Sequence, residues 1–241
     1  MRFGLISDIH GNLEALDEVL DRLGKANVDQ IICLGDIIGY GPDPELCLER
    51  VRDHASLVIA GNHDHAPIGL VDTRFFNPYA QKAVSWTKVR LSEEWEQYLQ
   101  ELPLVEEVEN MTCVHASPGK PDSWSYIVSI QDAADNFVSF KNLVCFIGHS
   151  HVPIVIEKDG NNEIAVIRKY QLELQQDCQY IINIGSVGQP RDGDPRSSYV
   201  ILDDKEVHFR RVEYDPSETR RKIQEIEELD DFLGDRLLEG R

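Results

Sequence analysis

Positive charge is scarce in this chain of 241 residues: 24 lysines and arginines face 43 aspartates and glutamates, a net charge of −19. Proteins that grip polymeric nucleic acid carry a basic stripe, because neutralising phosphates supplies most of the affinity. The densest basic run here is Arg220-Arg221-Lys222 on a helical pattern, so extended DNA or RNA is not an expected partner. A small anion needs only one local positive centre to override the acidic field. Long apolar runs are missing too. Leu143–Ile147 and Val152–Ile156 are far too short to cross a bilayer, and no membrane partner is expected. Cysteine pairing signals are absent: Cys33, Cys47, Cys113, Cys145 and Cys178 show no CxxC spacing. Three of the five lie inside apolar runs, where a reduced thiol behaves as a small hydrophobe, and all five read as structural. Met1-Arg2-Phe3-Gly4 enters a strand pattern without signal-peptide anatomy, so the expected location is the cytoplasm.

What is present is a regular alternation. RFGLIS reads as a strand. Leu13, Leu16, Leu20 and Leu23 then mark a helical face stopped at Gly24. DQIICLG, PDPELCLERV and LVIAG continue as strand, helix and strand, a βαβαβ unit whose strands should pair in parallel. Residues 67–102 form a helical insertion, with Tyr79, Ala83 and Trp86 on one face. Ser92 is the N-cap of a second helix there, which buries Trp95, Leu99 and Leu102. Strands resume at LVEEVE and MTCVHAS. A helical stretch at 132–140 leads into LVCFIG, followed by VPIVIE, EIAVIRKY, QYIINIG, SYVILD and EVHFRRVEY. A last helix around 217–230 carries Ile223, Ile226 and Leu229. No linker, repeat or low-complexity block interrupts the chain, so residues 1–241 are expected to make one α/β domain with two β layers.

The residues that follow the strands share one chemistry. RFGLIS is followed by Asp8 and His10, IICLG by Asp36, LVIAG by Asn62, His63 and Asp64, MTCV by His115, and LVCFIG by His149 and His151. In open α/β sheets ligands bind just beyond the carboxyl ends of strands, so these side chains should meet at one edge. Imidazole, carboxylate and amide oxygen without thiolate suit manganese, iron, nickel, cobalt or zinc. Seven such groups exceed one tetrahedral site and suit two ions sharing a bridge, a pair that holds both oxygens of an in-line displacement. Two close dications repel, and Asp36, alone on its strand end, is the candidate bridging carboxylate. The glycines before Asp36, Asn62 and His149 let the backbone turn and come close to the metals.

The ordered set Asp8-x-His10, Gly35-Asp36, Gly61-Asn62-His63-Asp64, His115 and Gly148-His149-x-His151 resembles the calcineurin-like metallophosphoesterase superfamily. The DIHGN start and the GHSH ending look closest to its small bacterial and archaeal phosphodiesterase-like branch. The resemblance runs from Leu5 to about Arg196 and implies a four-layer αββα sandwich with two mixed sheets flanked by helices. It implies two divalent ions, manganese first among them, one held by Asp8, His10, Asp36 and His151 and the other by Asp36, Asn62, His115 and His149. It also implies His63 as general acid or transition-state donor with Asp64 orienting it, and hydroxide drawn from water as the nucleophile. The expected substrate is a small phosphodiester or nucleotide. A phosphomonoester and a dinucleoside polyphosphate stay open, as does a scaffold without catalysis such as the retromer subunit in the same superfamily. GDIIGYG lacks the arginine of the protein serine/threonine phosphatase motif, which disfavours phosphoprotein substrates.

Two further segments admit two readings. Asn183–Arg191, NIGSVGQPR, follows a strand and reads first as a glycine turn supporting the histidine loops; the alternative sets Arg191, together with Asn62, against a substrate phosphate. Phe75, Phe76, Tyr79 and Trp86 could stack a nucleobase, but aromatic residues at helical spacing read first as core. His54, His65 and His208 lack a ligand context and read as surface or structural histidines.

Overall fold

The computed structural model describes residues 1–241, and its twelve strands, numbered in chain order, form two six-stranded sheets. The first sheet runs β3 (Leu57–Val58), β2 (Gln30–Cys33), β1 (Arg2–Ile6), β11 (Ser197–Asp203), β12 (Glu206–Val212) and β9 (Gln171–Glu173). The second runs β4 (Val105–Val108), β5 (Met111–Val114), β6 (Val144–Ile147), β10 (Gln179–Asn183), β7 (Ile154–Lys158) and β8 (Ile164–Ile167). β1, β2 and β3 pair in parallel, as do β5, β6 and β10, while the remaining pairs are antiparallel. Both sheets are therefore mixed.

Alternating side chains build the layers. Phe3 and Leu5 of β1 turn toward the second sheet and meet Phe146, Tyr180 and Ile182 in an inter-sheet core. Ile6, Ile31 and Cys33 face the other way, onto helices α1 (Leu13–Lys25) and α2 (Pro44–His54). Cys145, Ile147 and Ile181 on the far side of the second sheet pack on Ala133 and Phe137 of a later helix, Ile130–Phe137. Helix, sheet, sheet and helix thus stack in the four layers that the sequence resemblance implied. Of the five cysteines only Cys178 is not fully buried, and none is paired.

The short helix α3 (Asn62–His65) follows β3, and the insertion supplies α4 (Pro78–Lys88) and α5 (Glu93–Glu101) before α6 (Ile130–Phe137). Four boundaries differ from the sequence reading. Helix α6 starts at Ile130 and ends at Phe137 rather than spanning 132–140. Helix α1 runs past Gly24 to Lys25, and the stop is Asn27, left-handed at φ 51°, whose N–H donates to the Gly24 carbonyl. EIAVIRKY is a strand only over β8, on the second sheet; Arg168-Lys169-Tyr170 carry the chain across to β9 on the first, a strand the sequence reading did not mark. The C-terminal helix α7 (Pro216–Gln224) closes six residues short of 230, and a separate turn, α8 (Phe232–Asp235), follows. Glu225, Glu227, Glu228, Asp230 and Asp231 crowd what would be its C-terminal end, where the helix dipole disfavours negative charge. No helix is long and apolar enough to cross a membrane.

Gly35, between β2 and Asp36, adopts φ +91°, and a Cβ there would lie 2.5 Å from the Gly61 nitrogen. Gly61 is extended at φ −100°, so its role is close approach: a Cβ would fall 2.1 Å from Asp36 Oδ1. Gly35→Ala adds left-handed strain to a backbone clash, for a loss of about 2–5 kcal/mol. A Tm lower by roughly 10 °C in calorimetry is the expected result; an unchanged Tm would mean the loop has room to move.

Candidate metal centre

Five strands of both sheets, not the edge of one, deliver the site. β1, β2 and β3 of the first sheet end beside Asp8 and His10, Asp36, and Asn62, while β5 and β6 of the second end beside His115, His149 and His151. All seven side chains are buried. The loops after β1 and β2 interlock through backbone bonds: Ile9 and His10 N–H both donate to the Asp36 carbonyl, at 2.8 and 2.9 Å. Asp8, His10, Asp36, His149 and His151 all hold positive φ, between 52° and 66°. Each such residue costs about 1–3 kcal/mol, which the surrounding structure must over-determine, and such strain clusters at functional sites.

The imidazoles are fixed from behind. Nδ1 of His10, His115 and His151 lies 3.2, 2.7 and 2.6 Å from the carbonyls of Ile38, Leu34 and Gln189, so each donates there; Nε2 is left as a lone pair in His10 and His151, while in His115 it faces Asp36 with its proton. His149 is turned round: Nε2 donates to the Trp124 carbonyl at 2.9 Å, leaving Nδ1. In this arrangement His10 Nε2 and His151 Nε2 face each other at 3.1 Å with no proton between them. Asp8 Oδ1 lies 3.3 Å from His151 Nε2, and Asp36 Oδ2 lies 3.6 Å from His10 Nε2. Apart from the His149 backbone N–H, which donates to Asp8 at 3.1 Å, and the Asp8 carboxyl, which burial raises to about 7, these four groups present converging lone pairs, an arrangement that fits a cation.

Two donor sets emerge, Asp8–His10–Asp36–His151 and Asp36–His115–His149, the ligating atoms of each within 4.8 Å of one another. Asp36 belongs to both. Asn62 Oδ1, buried and without a hydrogen-bond partner, is free to complete the second set, and His115 Nε2 has no other acceptor to satisfy it. The residues therefore fit divalent metal, with nitrogen and oxygen donors and no sulfur.

Charge states follow from the same packing. Burial pushes His10 and His151 well below the usual imidazole range and His149 down to about 3, so all three are neutral, ligand-ready bases. Burial works against ionisation of Asp36 as well, but the imidazoles of His115, His63 and His10 hold its carboxyl well below the usual range. His115, opposed by burial but 3.3 Å from Asp36 Oδ2, is pushed up to about 9. Loading a dication must release that proton, so metal affinity falls as pH falls.

His63 Nδ1 is buried without a partner, and the ring sits between Tyr40 (4.5 Å between centroids) and Phe76 (4.9 Å), edge-on to His10. Asp64 does not reach it, contrary to the expectation that this carboxylate orients His63. Its two oxygens accept the N–H groups of Asp36 (2.7 Å), Ile37 (2.8 Å), Ile38 (3.2 Å) and Gly61 (2.9 Å), clasping the loop that carries Asp36. A carboxylate three residues into GNHD looks like part of a charge pair in sequence, because backbone N–H groups leave no mark there.

Asn183–Arg191 supports the histidine loops, the first of its two readings. Ser186 Oγ donates to the Asp8 carbonyl at 2.7 Å, and Asn183 Nδ2 reaches the Gly148 carbonyl and Ser150 Oγ. Arg191 nevertheless faces the centre, 5.8 Å over the Tyr40 ring, with Nη2 held by Gln189 at 2.7 Å and Nε buried and unpartnered. Trp86 and Ala83 lie in a small core with Tyr40, and Phe76 packs partly against it, but Phe75 and Tyr79 are exposed, contrary to the core reading of these aromatics. Trp124 and Tyr126 escaped the sequence reading. Tyr126 stacks on His149 at 4.1 Å and Trp124 lies edge-on to His115 at 6.1 Å, yet both sit in an aperiodic loop; only their aromaticity just before a helix cap marked them. His54 is exposed, and His65 is buried beside Trp124.

Comparison with known proteins agrees with this geometry. The family model of the calcineurin-like phosphoesterase superfamily domain matches residues 1–206. The structure of a metallophosphoesterase from Sphaerobacter thermophilus is 43% identical and superposes with a TM-score of 0.88, all of each chain being covered. An uncharacterized protein of Methanocaldococcus jannaschii is 40% identical over 98% of this chain and 97% of its own. The phosphodiesterase YfcE of Escherichia coli is 34% identical over 27% of this chain and 40% of its own.

Proposed function

The chain belongs to the calcineurin-like phosphoesterase superfamily, and on that premise we propose that it hydrolyses a small phosphodiester or nucleotide with two divalent cations, manganese first among them. The observation that carries this reading is Asp36, whose carboxylate is common to two converging donor sets. Asp8, His10 and His151 would hold one ion with it, and Asn62, His115 and His149 the other. When bound, such a pair lowers the pKa of water and offsets charge on phosphoryl oxygens.

The chain's own residues do the rest. The left-handed turns and carbonyl-anchored imidazoles hold the donor atoms in place before substrate arrives, so little reorganisation accompanies reaction. His63 is pushed down to about 4, first by burial, and is neutral at pH 7. It acts as a hydrogen-bond donor from an uncharged ring to the leaving oxygen or a non-bridging oxygen. Asp64 is a positioning residue: it fixes the peptide N–H groups around Asp36 and touches no substrate. Arg191, with a free Nε and a location beside Tyr40 and the histidines, holds a non-bridging phosphate oxygen. The acidic surface, at a net −19, favours a small substrate over a polymer.

The test is hydrolysis of bis-p-nitrophenyl phosphate beside p-nitrophenyl phosphate, with chelator-stripped protein with and without Mn²⁺. Turnover that returns with metal and favours the diester is expected. A preference for the monoester would move the substrate class to phosphomonoesters. Absence of turnover with Mn²⁺, Ni²⁺, Co²⁺ and Zn²⁺ would overturn the reading in favour of a scaffold.

A further inference from the structure

One aromatic side chain at the metal centre has no part in the donor sets. The Tyr126 ring lies nearly parallel to the imidazole of His149, 4.1 Å between centroids and 17° between planes, yet 50% of the residue is exposed. His149 covers one face of the ring, so the exposure belongs to the other face and the edge.

Scattered exposed apolar residues are ordinary on a protein surface, but this one is held in place from both sides along the chain. Two positions before it, Trp124 is left-handed at φ 55°, an outlier for so large a side chain, and its carbonyl accepts the His149 Nε2 proton at 2.9 Å. One position after it, Ile127 is buried in the core that contains Ala133 and Phe137. Asp132 of α6 then accepts the N–H groups of Val128 and Ser129 at 3.2 and 2.9 Å, within a capping box. A strained tryptophan, a buried isoleucine and a helix cap thus fix a short aperiodic segment around one exposed ring. To cover His149 an aliphatic side chain would do. A ring held parallel to it with the far face open is a stacking surface, and a flat ligand packs on such a face in an offset arrangement. Because Tyr126 is fixed beforehand, covering it costs little rotamer freedom.

We propose that the open face of Tyr126 receives the nucleobase of a nucleoside phosphate whose phosphoryl group lies at the metal centre. Tyr126 is then a specificity residue, selecting esters of nucleosides over esters of simple alcohols. One ribose separates a base from its 5′-phosphate, and one imidazole separates the Tyr126 ring from the donor atom of His149, so a single ligand reaches both. Every base has a π-face, so stacking selects for a nucleotide and not for one base among the four. This substrate class rests on the phosphoesterase reading above and narrows it.

The experiment is calorimetric titration of the Mn²⁺-loaded full chain, at one free Mn²⁺ concentration, with AMP and with ribose 5-phosphate, which lacks the adenine. Wild type, Tyr126→Leu and Tyr126→Phe are compared. Stacking of a base on an aromatic side chain is worth about fivefold to a hundredfold in affinity, so wild type should bind AMP more tightly by at least about fivefold. Tyr126→Leu should bring the two ligands to nearly equal affinity, while Tyr126→Phe should keep the wild-type ratio. Leucine covers His149 without a π-face, so a purely structural role would leave the ratio where it was. A wild-type ratio near one, a ratio unchanged in Tyr126→Leu, or a ratio lost in Tyr126→Phe overturns the stacking platform. Tyr126→Ala, read in the same way, decides the matter should Tyr126→Leu melt early. Metal-dependent turnover of bis-p-nitrophenyl phosphate by wild type is read separately. Its absence would remove the phosphoesterase reading, while the calorimetry still decides whether Tyr126 recognises the base.

Discussion

Asp36→Asn should abolish metal-dependent turnover, lowering it by well over a hundredfold, and should cut the metal content from the two ions per chain proposed above to one or none. The substitution keeps the shape of the side chain and an oxygen to accept the His63 N–H, now 2.8 Å from Asp36 Oδ1. What it removes is the negative charge that both donor sets share. Loss of an outer-shell partner costs about 10–100-fold in metal affinity or activity, and a bridging ligand should cost more. Elemental analysis of dialysed protein beside kinetics at saturating Mn²⁺ makes the measurement. Two ions retained with turnover within tenfold of wild type would show that Asp36 is not the bridge. Melting curves with and without Mn²⁺ serve as a fold control, since only a chain that binds the ion gains stability from it.

His63→Ala should leave the metal content intact and slow hydrolysis of an alkyl phosphodiester by about 10²–10⁴-fold, the usual share of a proton donor. The effect should shrink on bis-p-nitrophenyl phosphate, whose leaving group departs without a proton. The pH dependence separates the two forms of the donor. Burial holds His63 down to about 4 in the folded chain, and a nearby dication would push it lower still. The ring is then neutral throughout pH 5.5–8, and a neutral donor is not lost as pH rises through 6.5. The wild-type to His63→Ala rate ratio should be flat across that window. A ratio falling tenfold per pH unit above 6 would instead identify an imidazolium as the acid.

Much of the site was legible because its parts are local. A strand, a sharp turn and a metal-capable side chain occupy a few consecutive residues, and five such units announce Asp8, Asp36, Asn62, His115 and His149 one after another. The β1–α1–β2–α2–β3 unit was legible for the same reason, each helix showing its apolar stripe within one window. What depended on distant backbone was not. Asp64 binds N–H groups 26–28 residues away, which no spacing reveals. The crossing from β8 to β9, Gln171–Glu173, on the other sheet depends on which edge lies nearest when the chain passes, and nothing in the run EIAVIRKY marks where its strand stops. The closure of α7 at Gln224 was in principle readable, since five acidic residues follow within seven positions, yet Ile226 and Leu229 kept the helical spacing and masked it.

The seating of β11 between β1 and β12 bears on how the protein is made. β1 leaves the ribosome long before one of its two partners, which arrives only with Ser197–Asp203. His10 likewise waits for His151, 141 residues later. At roughly 5–20 residues per second, that gap lasts about 7–30 s. Throughout it β1 offers an unpaired edge of apolar residues, the kind of surface that recruits other chains. A nascent chain that stalls before residue 197 would hold the βαβαβ unit with its inner edge open and half of the first ligand set missing. Late synthesis, more than early folding, therefore decides whether the molecule reaches its metal-binding form.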